Sequence, residues 1–157
     1  MSLRALTCLA AASLGLAWIA SPASAASGCV LSKTGPGVVP GRPSFNVGGR
    51  FLAVSLSAGA QFVAVPEGRP GRAFVQPNGT IRTKVGWWSP RGTPRVTGRR
   101  LDAPAPPLDA RIGVKSFVLG AGEFYPSYLF FPTVGCWRVT ARNASTRLDF
   151  TVRVLRR

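Results

Sequence analysis

The chain has 157 residues, with 20 basic and 5 acidic side chains, a net charge of +15 and no histidine. This length is typical of one domain, and a hydrophobic content of 46% is enough to build a core. Without histidine there is no imidazole for a metal site, a Ser-His-Asp triad or acid–base catalysis. The 18 glycines and 14 prolines are too many for a helical bundle. Composition therefore predicts a basic β-protein that is not an enzyme and holds no cofactor or metal.

Residues 1–26 are typical of a cleaved secretory signal peptide. Arg4 gives a positive start, residues 6–19 form an apolar run, and residues 23–25 supply a small-x-small cleavage pattern. The apolar run is shorter than the roughly 20 residues that span a bilayer, and no later run approaches that length. The sequence predicts a protein secreted to the periplasm or the medium, with no transmembrane segment after cleavage.

Two cysteines, Cys29 and Cys136, remain once the signal peptide is removed. In an oxidising compartment two cysteines most simply form one disulfide. The alternative is lipidation of Cys29, because residues 26–29 loosely resemble a lipobox, although the usual leucine is absent and Cys136 would be left unpaired. Alternation places Cys136 on the face opposite Trp137. We therefore expect the disulfide to tie the N-terminal segment to a strand end rather than to cross the core.

The remainder of the chain alternates between short strands and turns. Residues 27–43 form a Gly/Pro-rich lead-in, and residues 44–157 form a single domain. Apolar alternation predicts strands at 50–57, 61–65, 73–75, 80–88, 94–101, 128–131, 136–141 and 147–154. Asn78-Gly79 is a strong hairpin signal. Residues 103–108 (APAPPL) should run along an edge or cross between sheets, because proline donates no ladder hydrogen bond.

The last strand shows the clearest alternation. Residues 147–154 place four apolar side chains inward, Leu148, Phe150, Val152 and Val154, and four polar ones outward, Arg147, Asp149, Thr151 and Arg153. No segment shows a helical period over ten residues. This pattern predicts an all-β fold, an antiparallel immunoglobulin-like β-sandwich of about seven to eight strands.

Four segments go beyond what β-periodicity requires: KVGWW at 84–88, GRRLDAPAPPL at 98–108, YPSYLFFPTVGCWRVT at 125–140 and LDFTVRV at 148–154. Together they resemble a family of small, uncharacterised secreted bacterial proteins. The chain departs from that family at Arg138, where its members often have an acidic residue. The resemblance implies export and a β-sandwich, and it implies no known activity.

Trp87 and Trp88 are adjacent on a predicted strand, so their side chains point to opposite faces. We expect one in the core and the other exposed. An exposed tryptophan near Arg91 would stack on a sugar ring or a base. The alternative is a structural role, in which the indole caps the sheet edge under an arginine.

Arg99, Arg100 and Asp102 precede the proline-rich segment and form a second candidate. They would bind a carboxylate or phosphate, with Asp102 orienting one guanidinium. Alternatively they form a surface ion pair that fixes the turn after the strand. The aromatic residues around 125–131 would line a groove or, as is usual in sandwiches, fill the core.

The predicted function is a non-catalytic secreted or periplasmic module that binds a partner or has a structural role in the cell envelope. One alternative is a binder of anionic glycans or other polyanions through arginines and the exposed tryptophan. Another is an inhibitor that presents the loop at 66–72 or at 103–108 to a secreted enzyme. The candidate partners are an anionic envelope polymer and a protein. Export argues against a specific nucleic-acid partner.

Overall fold

The computed structural model describes residues 28–35, 46–49, 52–56, 58–89, 92–119, 122–144 and 146–157. The predicted signal peptide, residues 36–43 of the lead-in and Arg91 lie outside these residues. Within them, no helix is long and apolar enough to cross a membrane. The strands are β1 (Asn46–Gly49), β2 (Leu52–Ser55), β3 (Gln61–Pro66), β4 (Ala73–Val75), β5 (Ile81–Ser89), β6 (Arg95–Arg100), β7 (Asp109–Ile112), β8 (Phe117–Leu119), β9 (Gly122–Phe131), β10 (Gly135–Asn143) and β11 (Thr146–Arg156).

The strands form one mixed sheet that nearly closes into a barrel. One wall runs in the order β3-β11-β10-β6, and the other runs in the order β4-β5-β9-β7. Strands β3 and β4 pair with each other and join the walls on one side. On the other side Leu108 N donates to Gly98 O (3.0 Å), which closes a seam between β6 and the start of β7. Strands β2 and β8 extend the second wall along the far halves of β5 and β9.

The predicted all-β fold is confirmed, but the expectation of purely antiparallel pairing is wrong. Strand β3 pairs in parallel with both β11 and β4. Apolar alternation reports which side of a strand is buried and carries no information on the direction of its neighbour. Three further short strands, β1, β7 and β8, were not predicted from the sequence.

The core lies between the two walls and is rich in aromatic side chains. The Phe131 ring lies 5.9 Å from Phe62 and 5.5 Å from Trp137, and Trp87 lies 6.1 Å from Phe150. Trp87 Nε1 donates to Ser127 Oγ (2.8 Å), so this buried indole is satisfied. The predicted inward and outward positions of the last strand are confirmed.

The predicted disulfide between Cys29 and Cys136 is confirmed, with a Cα–Cα distance of 5.7 Å. Cys136 is the second residue of β10, so the bond lies at a strand end, as expected. The lead-in then runs beside β11, where Ser32 N donates to Thr151 O (3.0 Å) and Thr151 N donates to Ser32 Oγ (2.9 Å). In this pairing the Cys29 thiol is not free for lipidation.

The proline-rich segment at 103–108 lies outside the strand ladders, as predicted. Ala105 packs against the core and Leu108 is buried. The segment therefore covers the seam between the walls instead of projecting from the domain.

Candidate functional site: an arginine face

The outer surface of β6, β10 and β11 is densely cationic. These strands alternate, with apolar side chains on the core and polar side chains outside, apart from Arg100 and Asn143 on the inward side. We call this surface the arginine face. Its outward residues are Arg95, Thr97, Arg99, Arg138, Thr140, Arg142, Arg147, Asp149, Thr151 and Arg153.

Strand register places several arginines directly beside one another. Arg142 lies opposite Arg95 on one neighbouring strand and opposite Arg147 on the other. Arg138 lies opposite Arg99. Directly opposed residues have Cβ atoms about 5 Å apart, and like charges at such positions disfavour the folded state. The face therefore carries an electrostatic cost that a bound anion would relieve.

Asp149 is the one carboxylate on this face. Arg147 holds it with two hydrogen bonds, Nε to Oδ2 (2.6 Å) and Nη2 to Oδ1 (3.0 Å), and the Thr140 hydroxyl donates to it as well. The hydrogen bonds from Arg147, and then that from Thr140, lower the pKa of Asp149 to about 2. Asp149 is therefore ionised at neutral pH and neutralises Arg147.

The other arginines of the face form no salt bridge with a carboxylate of the chain, although the charge of Arg138 also contributes to the lowered pKa of Asp149. The sequence has five Asp and Glu residues, and each forms an ion pair in the structure. Four of these pairs lie away from the arginine face, and the fifth joins Asp149 to Arg147. The arginines of the face without a salt bridge are Arg95, Arg99, Arg138, Arg142 and Arg153.

A cavity of about 320 Å³ opens on the arginine face. Three arginines from three different strands line it, together with two threonines and the backbone of a glycine: Arg99, Arg138, Arg147, Thr97, Thr140 and Gly98. Its volume is at the lower end of the range of small-molecule sites. The cavity offers hydrogen-bond donors from several sides, an arrangement suited to binding an anion.

Among the predicted site residues, Trp87 and Trp88 are both buried, so the expectation of an exposed tryptophan is wrong. Trp87 is 0% exposed and Trp88 is 7% exposed. A Cβ atom at Gly122 would lie 2.3 Å from the Trp88 ring, so the absent side chain makes room for the indole. Adjacent residues do point to opposite faces, but both faces of β5 are covered here. Arg91 lies outside the described residues.

The predicted cluster of Arg99, Arg100 and Asp102 is divided between two surfaces. Arg100 Nε donates to Asp102 Oδ1 (2.6 Å), and Asp102 Oδ2 accepts from Cys136 N (3.0 Å). Burial raises the pKa of Asp102, but the hydrogen bonds from Arg100 and Cys136 outweigh it and hold the pKa below its usual value. Arg100 and Asp102 thus fix the turn after β6, which was the structural alternative. Arg99 points the other way and belongs to the arginine face.

The opposite wall also carries cations, and its two arginines are paired with carboxylates, whereas the exposed Lys84 on β5 forms no salt bridge. Arg82 bonds Glu67 (3.0 Å) and lies 5.5 Å from the centre of the Tyr128 ring. Arg111 bonds Asp109 (3.1 Å) and lies 4.6 Å from the centre of the Phe130 ring. We call this surface, formed by the outer sides of β4, β5, β9 and β7, the paired wall.

Sequence reasoning missed most of the arginine face. It placed Arg147 and Arg153 outward on the last strand and selected Arg99, but it did not connect them with Arg95, Arg138 and Arg142. The available signal was the repetition of arginine at outward positions of three strands. Which strands lie side by side depends on long-range pairing, which alternation does not report.

Comparison with known proteins adds no assignment: no protein-family model, no curated protein and no solved structure matches the chain. Within the described residues, no group of three or more His, Cys, Asp and Glu side chains could hold a metal ion.

Proposed function

We propose that this protein is an exported, non-catalytic module that binds polyanions, in the first place anionic glycans of the cell envelope or its surroundings, through the arginine face. The observation that carries the proposal is the set of five outward arginines on three adjacent strands that form no salt bridge. Guanidinium groups bind carboxylate, sulfate and phosphate with paired hydrogen bonds, so the face is chemically matched to such polymers.

Export is supported by three features. Residues 1–26 have the organisation of a signal peptide. The disulfide is of the kind that persists in oxidising compartments. The segments at 98–108 and 125–140 resemble those of secreted bacterial proteins. An exported cation-rich surface meets the polyanions of the envelope before it meets intracellular nucleic acid.

We also propose that the domain is a variant of the immunoglobulin-like sandwich. The order β2-β5-β9-β7 follows the A-B-E-D sheet of that fold, and the order β6-β10-β11 follows its C-F-G sheet. Strand β4 would then be the addition that joins the two sheets into a near barrel. In this description the arginine face is the outer side of the C-F-G sheet.

The test compares two variants that lose the same charge. One replaces Arg95, Arg99, Arg138 and Arg142 by glutamine. The matched control replaces four exposed arginines outside the face, Arg69, Arg72, Arg156 and Arg157. Retention of the mature, disulfide-bonded protein on immobilised dextran sulfate is measured as a function of salt.

We expect wild-type binding to weaken steeply with ionic strength, because it depends on screened charges. The face variant should lose tenfold or more in affinity, on the order of what two or three charge-assisted contacts contribute. The control should lose much less. Equal losses in both variants would mean that the protein binds through its net charge and not through this face.

A further inference from the structure

We infer that the cavity on the arginine face is a subsite for a tetrahedral oxyanion ester, a sulfate or phosphate monoester group carried by the polyanion, in preference to a carboxylate. This inference rests on the proposed function, since it assigns the chemistry of the ligand at the same surface. It is carried by the arrangement of donors around the cavity.

The structure contains its own example of how this surface holds a carboxylate. The two oxygens of Asp149 are satisfied by one guanidinium, that of Arg147, and by the hydroxyl of Thr140. A carboxylate has two oxygens in one plane, so a single arginine fork matches it. A carboxylate ligand would thus need only one of the remaining arginines.

The cavity offers more donors than a second carboxylate would use. Arg99 and Arg138 lie opposite each other on neighbouring strands, and Thr97 lies two residues from Arg99 on the same side of β6. Neither arginine forms a salt bridge, and Arg138 contributes only the charge of its guanidinium to the lowered pKa of Asp149. A monoester has three terminal oxygens that point in three directions, so it would accept from both guanidinium groups and from the Thr97 hydroxyl at once.

Size is consistent with this occupant. A cavity of about 320 Å³ is larger than one oxyanion group, so it also accommodates the ester oxygen and part of the sugar or chain that carries it. Asp149 does not line the cavity but is bonded to two residues that do, Arg147 and Thr140, so its negative charge opposes anions that accept too few hydrogen bonds to compensate.

The experiment uses three polymers with one backbone: dextran sulfate, phosphorylated dextran and carboxymethyl dextran, matched in length and charge density. Dissociation constants are measured at one ionic strength for the disulfide-bonded protein. We expect about tenfold tighter binding to the sulfate or the phosphate polymer than to the carboxylate polymer, the gain from one additional charge-assisted contact. If one of the two ester polymers binds more tightly, its group, sulfate or phosphate, is the one that the subsite prefers. A preference for either ester over the carboxylate supports the subsite.

Two double variants test whether the preference for esters over carboxylates arises in the cavity. R99Q/R138Q removes both free arginines of the cavity, and we expect it to lower the ester-to-carboxylate ratio to near one. R95Q/R142Q removes the same charge from the same face outside the cavity, and it should weaken both kinds of binding while keeping the ratio. Thr97→Val should reduce the ratio without a change in charge.

The outcomes separate this inference from the proposed function. A wild-type ratio near one, or a ratio that R99Q/R138Q leaves unchanged, overturns the subsite even where binding still depends on the face. Binding that no substitution on the face affects overturns the proposed function as well.

Discussion

The arginine face and the paired wall are outer sides of one sheet, yet their arginines have different interaction partners. On the paired wall, Arg82 and Arg111 each have a carboxylate and an aromatic ring as partners. On the arginine face, Arg142 lies between two other arginines. Both arginines of the paired wall are neutralised within the protein, whereas five arginines of the arginine face form no salt bridge and would be neutralised by a ligand. A high net charge becomes informative about function only when its distribution over the fold is known.

The largest predicted effect concerns the disulfide that ties the lead-in to the end of β10. Replacing both Cys29 and Cys136 by serine should lower the free energy of unfolding by about 4–5 kcal/mol in the chain-entropy view, because the bond closes a loop with a sequence separation of 107. Urea denaturation of the variant and of the reduced wild-type protein measures the loss. A loss below about 1 kcal/mol in both would mean that the lead-in contributes little to the wall.

The seam between the two walls gives the next largest effect. A Cβ atom at Gly98 would lie 2.8 Å from Leu108 Cδ2 and 2.9 Å from its Cβ. Gly98→Ala should therefore displace residue 108 and destabilise the domain by about 1–3 kcal/mol, the usual cost of overpacking. Gly35→Ala, at a site with open space, is the control. Equal stability of the two variants would show that the seam opens at no cost.

Replacing one arginine on each of the two surfaces tests whether their arginines differ in how they affect stability. Arg82→Gln should lower stability by about 1 kcal/mol, because it removes an ion pair and the contacts with Phe74 and Tyr128. Arg142→Gln should raise stability by a few tenths of a kcal/mol at low salt, because it relieves repulsion from Arg95 and Arg147 on the neighbouring strands. Thermal unfolding at low and high salt distinguishes them, since screening should abolish the second effect. Destabilisation by Arg142→Gln would contradict the described difference between the two surfaces.

The smallest effects concern Asp149. Asp149→Asn frees Arg147 for a ligand, so we expect a severalfold gain in affinity for dextran sulfate and a small loss of stability at low salt. The folded-state pKa of about 2 lies below that of the unfolded chain, so the stability from this group is present above about pH 4 and is lost as the pH falls toward 2.

Denaturation midpoints at pH 5, 3 and 2 measure this loss. The decrease should be smaller for Asp149→Asn than for the wild-type protein. Asp109→Asn removes a carboxylate from the paired wall and controls for net charge. An identical decrease in the denaturation midpoint of Asp149→Asn and of the wild type would show that Asp149 does not contribute to acid sensitivity.

The sequence predicts individual strands better than it predicts their neighbours. Alternation over 147–154 places every side chain of that segment correctly, because burial on one face is a local pattern. It does not predict that Arg142 lies between Arg95 and Arg147, because that depends on pairing between distant parts of the chain. The same limit explains Trp88, whose burial comes from Gly122 on a strand that is distant in sequence.

The predicted start of one strand is wrong because a proline lies inside the strand. The predicted strand at 128–131 begins at residue 122 in the structure and continues through Pro126, which lies opposite Gly86. Proline usually marks the end of a strand, because it removes a ladder donor. Here its carbonyl still accepts a hydrogen bond from Gly113 N (2.8 Å), so the ladder continues past it.

The most direct test of the account is a map of where a polyanion contacts the folded protein. Backbone amide chemical shifts of the disulfide-bonded domain are recorded during titration with short dextran sulfate. We predict that the changes concentrate on β6, β10 and β11, with the largest at residues 97–99 and 138–140, and that β4, β5 and β7 change little. Changes of equal size on the paired wall, or changes centred there, would contradict the claim that unpaired arginines define the binding surface.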